Sequence, residues 1–373
     1  MLPRENFKRS ENARRVFTNG CGKKCKKLPL ITYKRARKAD PARLSFGYKR
    51  FDFEATMITS ATDALHLCTP LTRKEGESAK TKEAFDRRRE ALKGMLQKEI
   101  YGILPPKPAH LKVALISEQD PRSLTARAVR RELSFLCEID GEEASFPATQ
   151  IMPKGEGKFP VFIYLSTDSD GAYKDLPIEQ IAMRGYGIFI LRYQDVAKDS
   201  RDFRFGMAKH LCKSRRALSA PGKIAIWAWA AMRVMDYALT LANLDAAHVA
   251  VIGQKHLGRS ALFCGAMDER FRYVIASTQG GDATGAHAPY WFCPRYKRYA
   301  DEGKKMTCAL DPLLSLIAPR DLLIDSAEMD LGAEIQGEHS LDLGAEIQGE
   351  HSPALCDFFA YMDHIDKKRE KRP

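Results

Sequence analysis

Residues 248–261 read HVAVIGQKHLGRSA. Val249, Ala250, Val251 and Ile252 form a short apolar run of the kind found in strands buried on both faces. The run enters Gly253, a tight turn follows, and a helix continues to about Ala266. A buried strand that passes through a sharp turn into a helix is the unit from which parallel α/β sheets are built.

The flanking sequence repeats the pattern. Upstream, Pro160–Leu165 and Gly187–Tyr193 are apolar runs of the same type, separated by a helix from Pro177 to Arg184. A long helix, Ile224–Leu241, leads into the quoted stretch. Downstream, Phe271–Ala276 and Asp321–Asp325 supply a fourth and a fifth buried strand. Strands alternating with helices at this spacing predict a mostly parallel sheet covered on both faces. Two earlier segments, Leu111–Ile116 and Glu132–Ile139, alternate in hydrophobicity and read as antiparallel strands at one edge. Before them, Phe85, Leu92, Met95, Leu96 and Ile100 recur at helical spacing over Ala84–Tyr101, and Pro105-Pro106 ends that helix. Pro153–Lys158 is a turn-rich break, and 199–220 is polar and irregular. Trp227, Trp229, Met232, Met235 and Leu239 share one helix at a spacing that predicts core. LCDFFAYM (355–362) is helical in character, DKKREKRP is read as a solvated end, and no buried strand is expected between Pro353 and Pro373. DLGAEIQGEHS occurs twice, at 330–340 and 342–352; two copies at this short period read as a duplication within a loop rather than as architecture.

The chain has 373 residues, 44% hydrophobic and 29% charged. This is an ordinary globular mixture with enough apolar surface for a large core, and it excludes global disorder and a small disulfide scaffold. No apolar run approaches the roughly 18 residues of a membrane span. The formal net charge of +12 is local: residues 1–50 carry 16 Lys+Arg and 3 Asp+Glu, and the remainder has a net charge of −1. The expected organisation is therefore a basic, largely irregular arm over 1–82 and one α/β domain over 83–373. Nucleic-acid or anionic-polymer contact is expected only through that arm. Nine cysteines without a signal-peptide pattern are expected to be reduced thiols, in keeping with a cytoplasmic protein. Cys21 and Cys25 lack a second pair at zinc spacing, so no metal is expected, and no G-x-G-x-x-G suggests a nucleotide cofactor.

Several blocks share one order. They are EIYGILPPKP (99–108), PIEQIAMRGYGIFI (177–190), RYQDVAKD (192–199), GKIAIWAWAAMRVMDYAL (222–239), GQKHLGRSALFCGAMDERF (253–271), PYWFCPRYKRYAD (289–301) and IAPRDLLIDSAEMDLGA (317–333). Together they resemble the α/β-hydrolase carbohydrate esterases that contain the glucuronoyl methylesterases and related acetylxylan esterases. The resemblance spans roughly residues 85–335. It implies a three-layer α/β-hydrolase-like sandwich and, as substrate, an acidic plant polysaccharide or small ester, cleaved by a Ser-His-acid mechanism with no cofactor. It leaves secretion open.

The resemblance also places the site. The turn after the third buried strand becomes the nucleophile elbow, where a sharp bend lifts one side chain above the sheet edge and a helix N-terminus offers N–H groups to an oxyanion. The family elbow resembles G-H-S-R-L-G-K; here it reads Gly253-Gln254-Lys255-His256-Leu257-Gly258-Arg259. Lys255 falls at the nucleophile, His256 where an arginine helps hold the oxyanion, and Arg259 where a lysine contacts the sugar acid. Asp330 matches the acid, and Gly332 stands where a sugar-stacking Trp belongs. Another place for an acid in the family falls near Thr278. Trp291 is a candidate sugar-lining residue, and Asp195 and Asp199 are expected to brace their loop. His364 is the remaining candidate base, because His339 and His351 lie in the duplicated segment. The last strand and the loop that normally carries the histidine are expected to be missing. Little or no ester turnover is expected, leaving a non-catalytic acidic-sugar binder or a damaged gene product as the alternative reading.

Overall fold

A computed structural model describes residues 82–119, 127–167, 173, 176–212, 217–277, 289–297, 311–325 and 355–370. They belong to the second of two units, Asp52–Pro373; the first, Met1–Phe51, lies outside the described residues, as does the rest of the basic arm.

Eight strands make one sheet in the order β1-β2-β3-β5-β4-β6-β7-β8. β1 (Leu111–Gln119), β2 (Ala128–Ile139) and β3 (Glu142–Pro153) form an antiparallel meander, and β3 pairs antiparallel with β5 (Gly187–Arg192). From β5 onward the sheet is parallel through β4 (Phe159–Ser166), β6 (Leu244–Gln254), β7 (Tyr273–Ser277) and β8 (Asp321–Asp325). The five apolar runs read from the sequence are these five parallel strands. β3 is the strand the sequence hid. Its acidic start and internal Pro147 break the usual strand signals, yet Ala144, Phe146 and Ala148 face one core layer at the period of two that a pleated strand imposes.

The same alternation divides the core. Val161, Ile163, Leu165, Val249, Val251 and Val274 face α1 (Lys82–Met95, continued as a wider turn to Tyr101), α5 (Lys223–Ala238), α6 (His256–Met267) and α7 (Asp311–Ile317). Phe162, Tyr164, Ile188, Ile190, Ile252 and Ile275 face α2 (Ile178–Met183) and α8 (Leu355–Glu370). Two short helices, α3 (Tyr193–Val196) and α4 (Met207–Leu211), punctuate the segment read as irregular. Helix α5 is buried over most of its circumference, so it runs between layers rather than along the surface. Trp227 donates its indole N–H to Ala197 O at 2.9 Å and Trp229 to Pro105 O at 3.1 Å, the partners that buried indoles require.

The three-layer α/β-hydrolase-like sandwich with a mostly parallel sheet is thus as expected. Among the described residues no strand follows β8. Of the segment read as a solvated end, residues 366–370 are instead the last turn of α8, and 371–373 lie outside the described residues. Asp366 accepts a 2.6 Å hydrogen bond from Tyr186 and one of 2.9 Å from Arg184 Nε, while Lys368 reaches Asp321 at 3.1 Å. A run of charges looked like a tail because its partners lie far away in the sequence.

Candidate functional site at the elbow

β6 and α6 are joined by one residue, Lys255. Its backbone has φ 54° and ψ −131°, a region that side chains with a Cβ rarely occupy. Gly253 makes the bend possible: a Cβ there would lie 2.1 Å from Leu257 O. Gly258 N–H donates to Lys255 O at 3.0 Å and closes the turn. The result is a strained apex that projects an exposed ammonium from the C-terminal end of the parallel strands.

His256 lies directly beneath that apex, 14% of its side chain exposed. Its ring stacks on Trp291 with centroids 4.9 Å apart, meets Tyr193 edge-on at 5.1 Å and touches Trp227 at 5.5 Å. Its Nε2 is buried without a hydrogen-bond partner and stands 3.9 Å from Asp199 Oδ2. Asp199 accepts a 2.7 Å hydrogen bond from the Trp291 indole, and its charge acts on the Tyr290 phenol beside it. One carboxylate therefore ties the loop after α3 to the turn at Pro289–Trp291. That turn is clamped from behind by close approach to Gly222, where a Cβ would lie 2.2 Å from Trp291 O.

Burial holds the His256 imidazole below its ordinary pKa; the Asp199 carboxylate opposes this and the Lys255 charge reinforces it. Burial, with Asp199 beside it, pushes the Tyr290 phenol up to about 12, and the same two causes raise Tyr193. The resting site is thus a cation at the apex, a neutral imidazole in an aromatic cage and one carboxylate behind it. Among the described residues no group of three or more His, Cys, Asp or Glu could hold a metal ion.

A family model described as "Glucuronyl esterase, fungi" matches residues 137–288. A carbohydrate esterase, MZ0003, from an unknown prokaryotic organism is 24% identical over 77% of this chain and 78% of its own. The 4-O-methyl-glucuronoyl methylesterase of Podospora anserina is 24% identical over 70% of this chain, which spans 55% of that protein. The chain is a relative of the glucuronoyl esterases. Solved glucuronoyl esterases share its fold: that of Solibacter usitatus superposes with a TM-score of 0.67 at 22% identity, covering 79% of this chain and 96% of its own. That of Teredinibacter turnerae gives 0.59 at 23% identity, covering 70% and 72%.

In this relative of the glucuronoyl esterases the structure brings together Lys255, His256 and Trp291. Trp291 serves as the stacking partner of His256. Arg259, one turn further along α6, is directed elsewhere: its guanidinium sits 5.7 Å from the Phe292 ring centroid and beside the buried Tyr101 hydroxyl. Asp330 and the alternative acid position near Thr278 lie outside the described residues, as do His339 and His351. His364 is corrected as a candidate base. It pairs with Asp321 at 3.5 Å, and Asp321 is in register with Tyr273, which is in register with Ala250. Ala250 lies five residues before Lys255, about 16 Å along the strand, so His364 is at the opposite end of the sheet. Ser260 is wholly buried within α6 and is no substitute nucleophile. Asp195 pairs with Arg192 at 2.6 Å and braces its loop as expected. Tyr193, Trp227 and Tyr290 were not singled out as site residues. The signal available was the Tyr-x-x-x-x-x-Asp of YQDVAKD and the Pro-Tyr-Trp of 289–291, which meet only in three dimensions.

Proposed function

We propose that this chain is a carbohydrate-esterase relative that engages the uronic-acid groups of glucuronoxylan at the elbow and turns their esters over slowly or not at all. The observation that carries this reading is Lys255 at the strained apex, where the chemistry of a serine esterase needs a hydroxyl. An alcohol forms an ester intermediate that water reopens. An amine would form an amide, which hydrolyses far more slowly and would block the site after one turnover. As a cation, Lys255 is suited to hold a carboxylate instead.

Two assays on the full chain test the proposal. One measures hydrolysis of a methyl ester of a glucuronate-bearing xylo-oligosaccharide. The other measures retention on 4-O-methyl-glucuronoxylan against uncharged xylan. The expected hydrolysis is at most about 10³–10⁴ over water, the residue left when a triad member is removed from a serine protease. Retention on glucuronoxylan is expected, and Lys255→Ala is expected to lose it. Turnover at an ordinary enzymatic rate, about 1–10³ s⁻¹, would sink the binder reading.

A further inference from the structure

The inference that follows rests on the elbow being a uronate seat and concerns which form of the uronate it takes. We propose that the elbow selects the free acid over its ester and that His256 is the specificity-determining residue, taking up one proton as the carboxylate binds.

Trp291, Trp227 and Tyr193 pack around the imidazole and exclude water from Nε2, which has no hydrogen-bond partner. A buried, unpartnered ring nitrogen beside a carboxylate costs free energy unless something is gained when it acquires a proton. The groups around the ring come from five places in the chain. Asp199 comes from the loop after α3, Tyr193 from α3 itself, Lys255 from the apex, and Tyr290 with the uncharged Trp291 from the turn at 289–291; α5 contributes the uncharged Trp227. Burial and Lys255 both disfavour the imidazolium, and Asp199 alone favours it.

A carboxylate bound at the apex changes that balance. It offsets the Lys255 charge and adds a second negative group beside the ring. The proton then favoured on His256 closes the 3.9 Å gap to Asp199 into an ion pair within the cage. The methyl ester of the same sugar is neutral. It can neither pair with the ammonium nor draw a proton to the imidazole, so its affinity should not follow this equilibrium. By linkage, the acid binds more tightly as pH falls below neutrality, by at most tenfold per unit for one proton. This holds while the ligand carboxylate stays ionised, above about pH 4. The reaction that supplies such a ligand is hydrolysis of a uronoyl ester, which places this chain after an ester hydrolase.

Calorimetry tests this on the full chain with two probes, a xylo-oligosaccharide bearing one glucuronate and its methyl ester. Titrations run from pH 5 to 8 in two buffers of different protonation enthalpy. The acid is expected to bind at least tenfold more tightly than the ester at pH 6, with proton uptake approaching one. His256→Gln is expected to abolish the pH slope, and His256→Arg to keep the preference for the acid while flattening the slope. Equal affinity for acid and ester, or a slope that survives in His256→Gln, would overturn the selectivity while leaving the uronate seat standing. Absence of binding by either probe at every pH would overturn both.

Discussion

Each end of the parallel strands carries a histidine facing an aspartate, and the two pairs behave oppositely. At the C-terminal end, His256 and Asp199 stand 3.9 Å apart, and the carboxylate's hydrogen bond comes from a neutral donor, the Trp291 indole. At the N-terminal end, His364 stands 3.5 Å from Asp321, which also draws Lys368 at 3.1 Å and Arg272 at 3.7 Å. A second pair nearby, His248 and Asp245 at 2.8 Å, receives Arg369 at 3.6 Å. The N-terminal carboxylates are surrounded by cations and fasten α8 to the sheet edge. The C-terminal carboxylate has a charge still to be matched. The same two residue types thus make a fastening where the cations are in place and a seat for a ligand where they are not.

The sharpest way to break this comparison is to remove each aspartate. Asp321→Ala leaves Lys368 and Arg272 without their carboxylate at a nearly buried position and is expected to cost about 3 kcal/mol, the low end for breaking a buried pair because both cations keep contact with water. Asp199→Ala orphans one neutral donor, the Trp291 indole, and is expected to cost about 1–2 kcal/mol, while abolishing uronate binding. Urea unfolding measures both. A larger loss at Asp199 than at Asp321 would mean that the elbow end, not α8, is the structural fastening.

The contrast also explains what the sequence made legible. The five parallel strands and the elbow could be read because each is a local signal: an apolar run, or a glycine followed by a helix. β3 could not, since its polar start and Pro147 mimic a loop until β2 and β5 flank it. The role of α8 was hidden for the same reason. DKKRE looks solvated alone and becomes a fastening only when Asp245, Asp321 and Arg184 arrive from elsewhere in the chain. At the site, Lys255 and His256 were visible by position, whereas the cage that decides the protonation of His256 is assembled from segments up to a hundred residues apart. His364 was proposed from residue type and chain order, and strand direction places it at the wrong end.

A smaller effect sharpens the elbow side. Lys255 holds a positive φ that glycine adopts without strain. Lys255→Gly is therefore expected to raise stability by about 1 kcal/mol while losing uronate binding, whereas Lys255→Ala should lose binding with no such gain. Stability that rises as affinity disappears would identify the apex as strain retained for a ligand. No gain at all in Lys255→Gly would show that the turn is relaxed and that the ammonium's placement costs nothing.

The smallest expected effects lie in pH, and they separate the two ends most cleanly because the signs can be worked through. His256 is held below its ordinary value by burial, so the unfolded chain takes up its proton first. Stability is then lost as pH falls from about 6.5 through the folded value. Burial would raise the Asp321 carboxyl, but His364 and Lys368 outweigh it and leave the group below its usual range. Its contribution is complete above about pH 3.9 and is lost only as pH falls through the lower folded value. The two ends should therefore weaken in separate windows. His256→Phe is expected to flatten the urea midpoint between pH 7 and 5 without altering the acid limb, and Asp321→Asn to flatten the acid limb alone. If His256→Phe instead moved the acid limb, the imidazole would be coupled to the sheet edge rather than to Asp199, and the division between fastening and seat would fail.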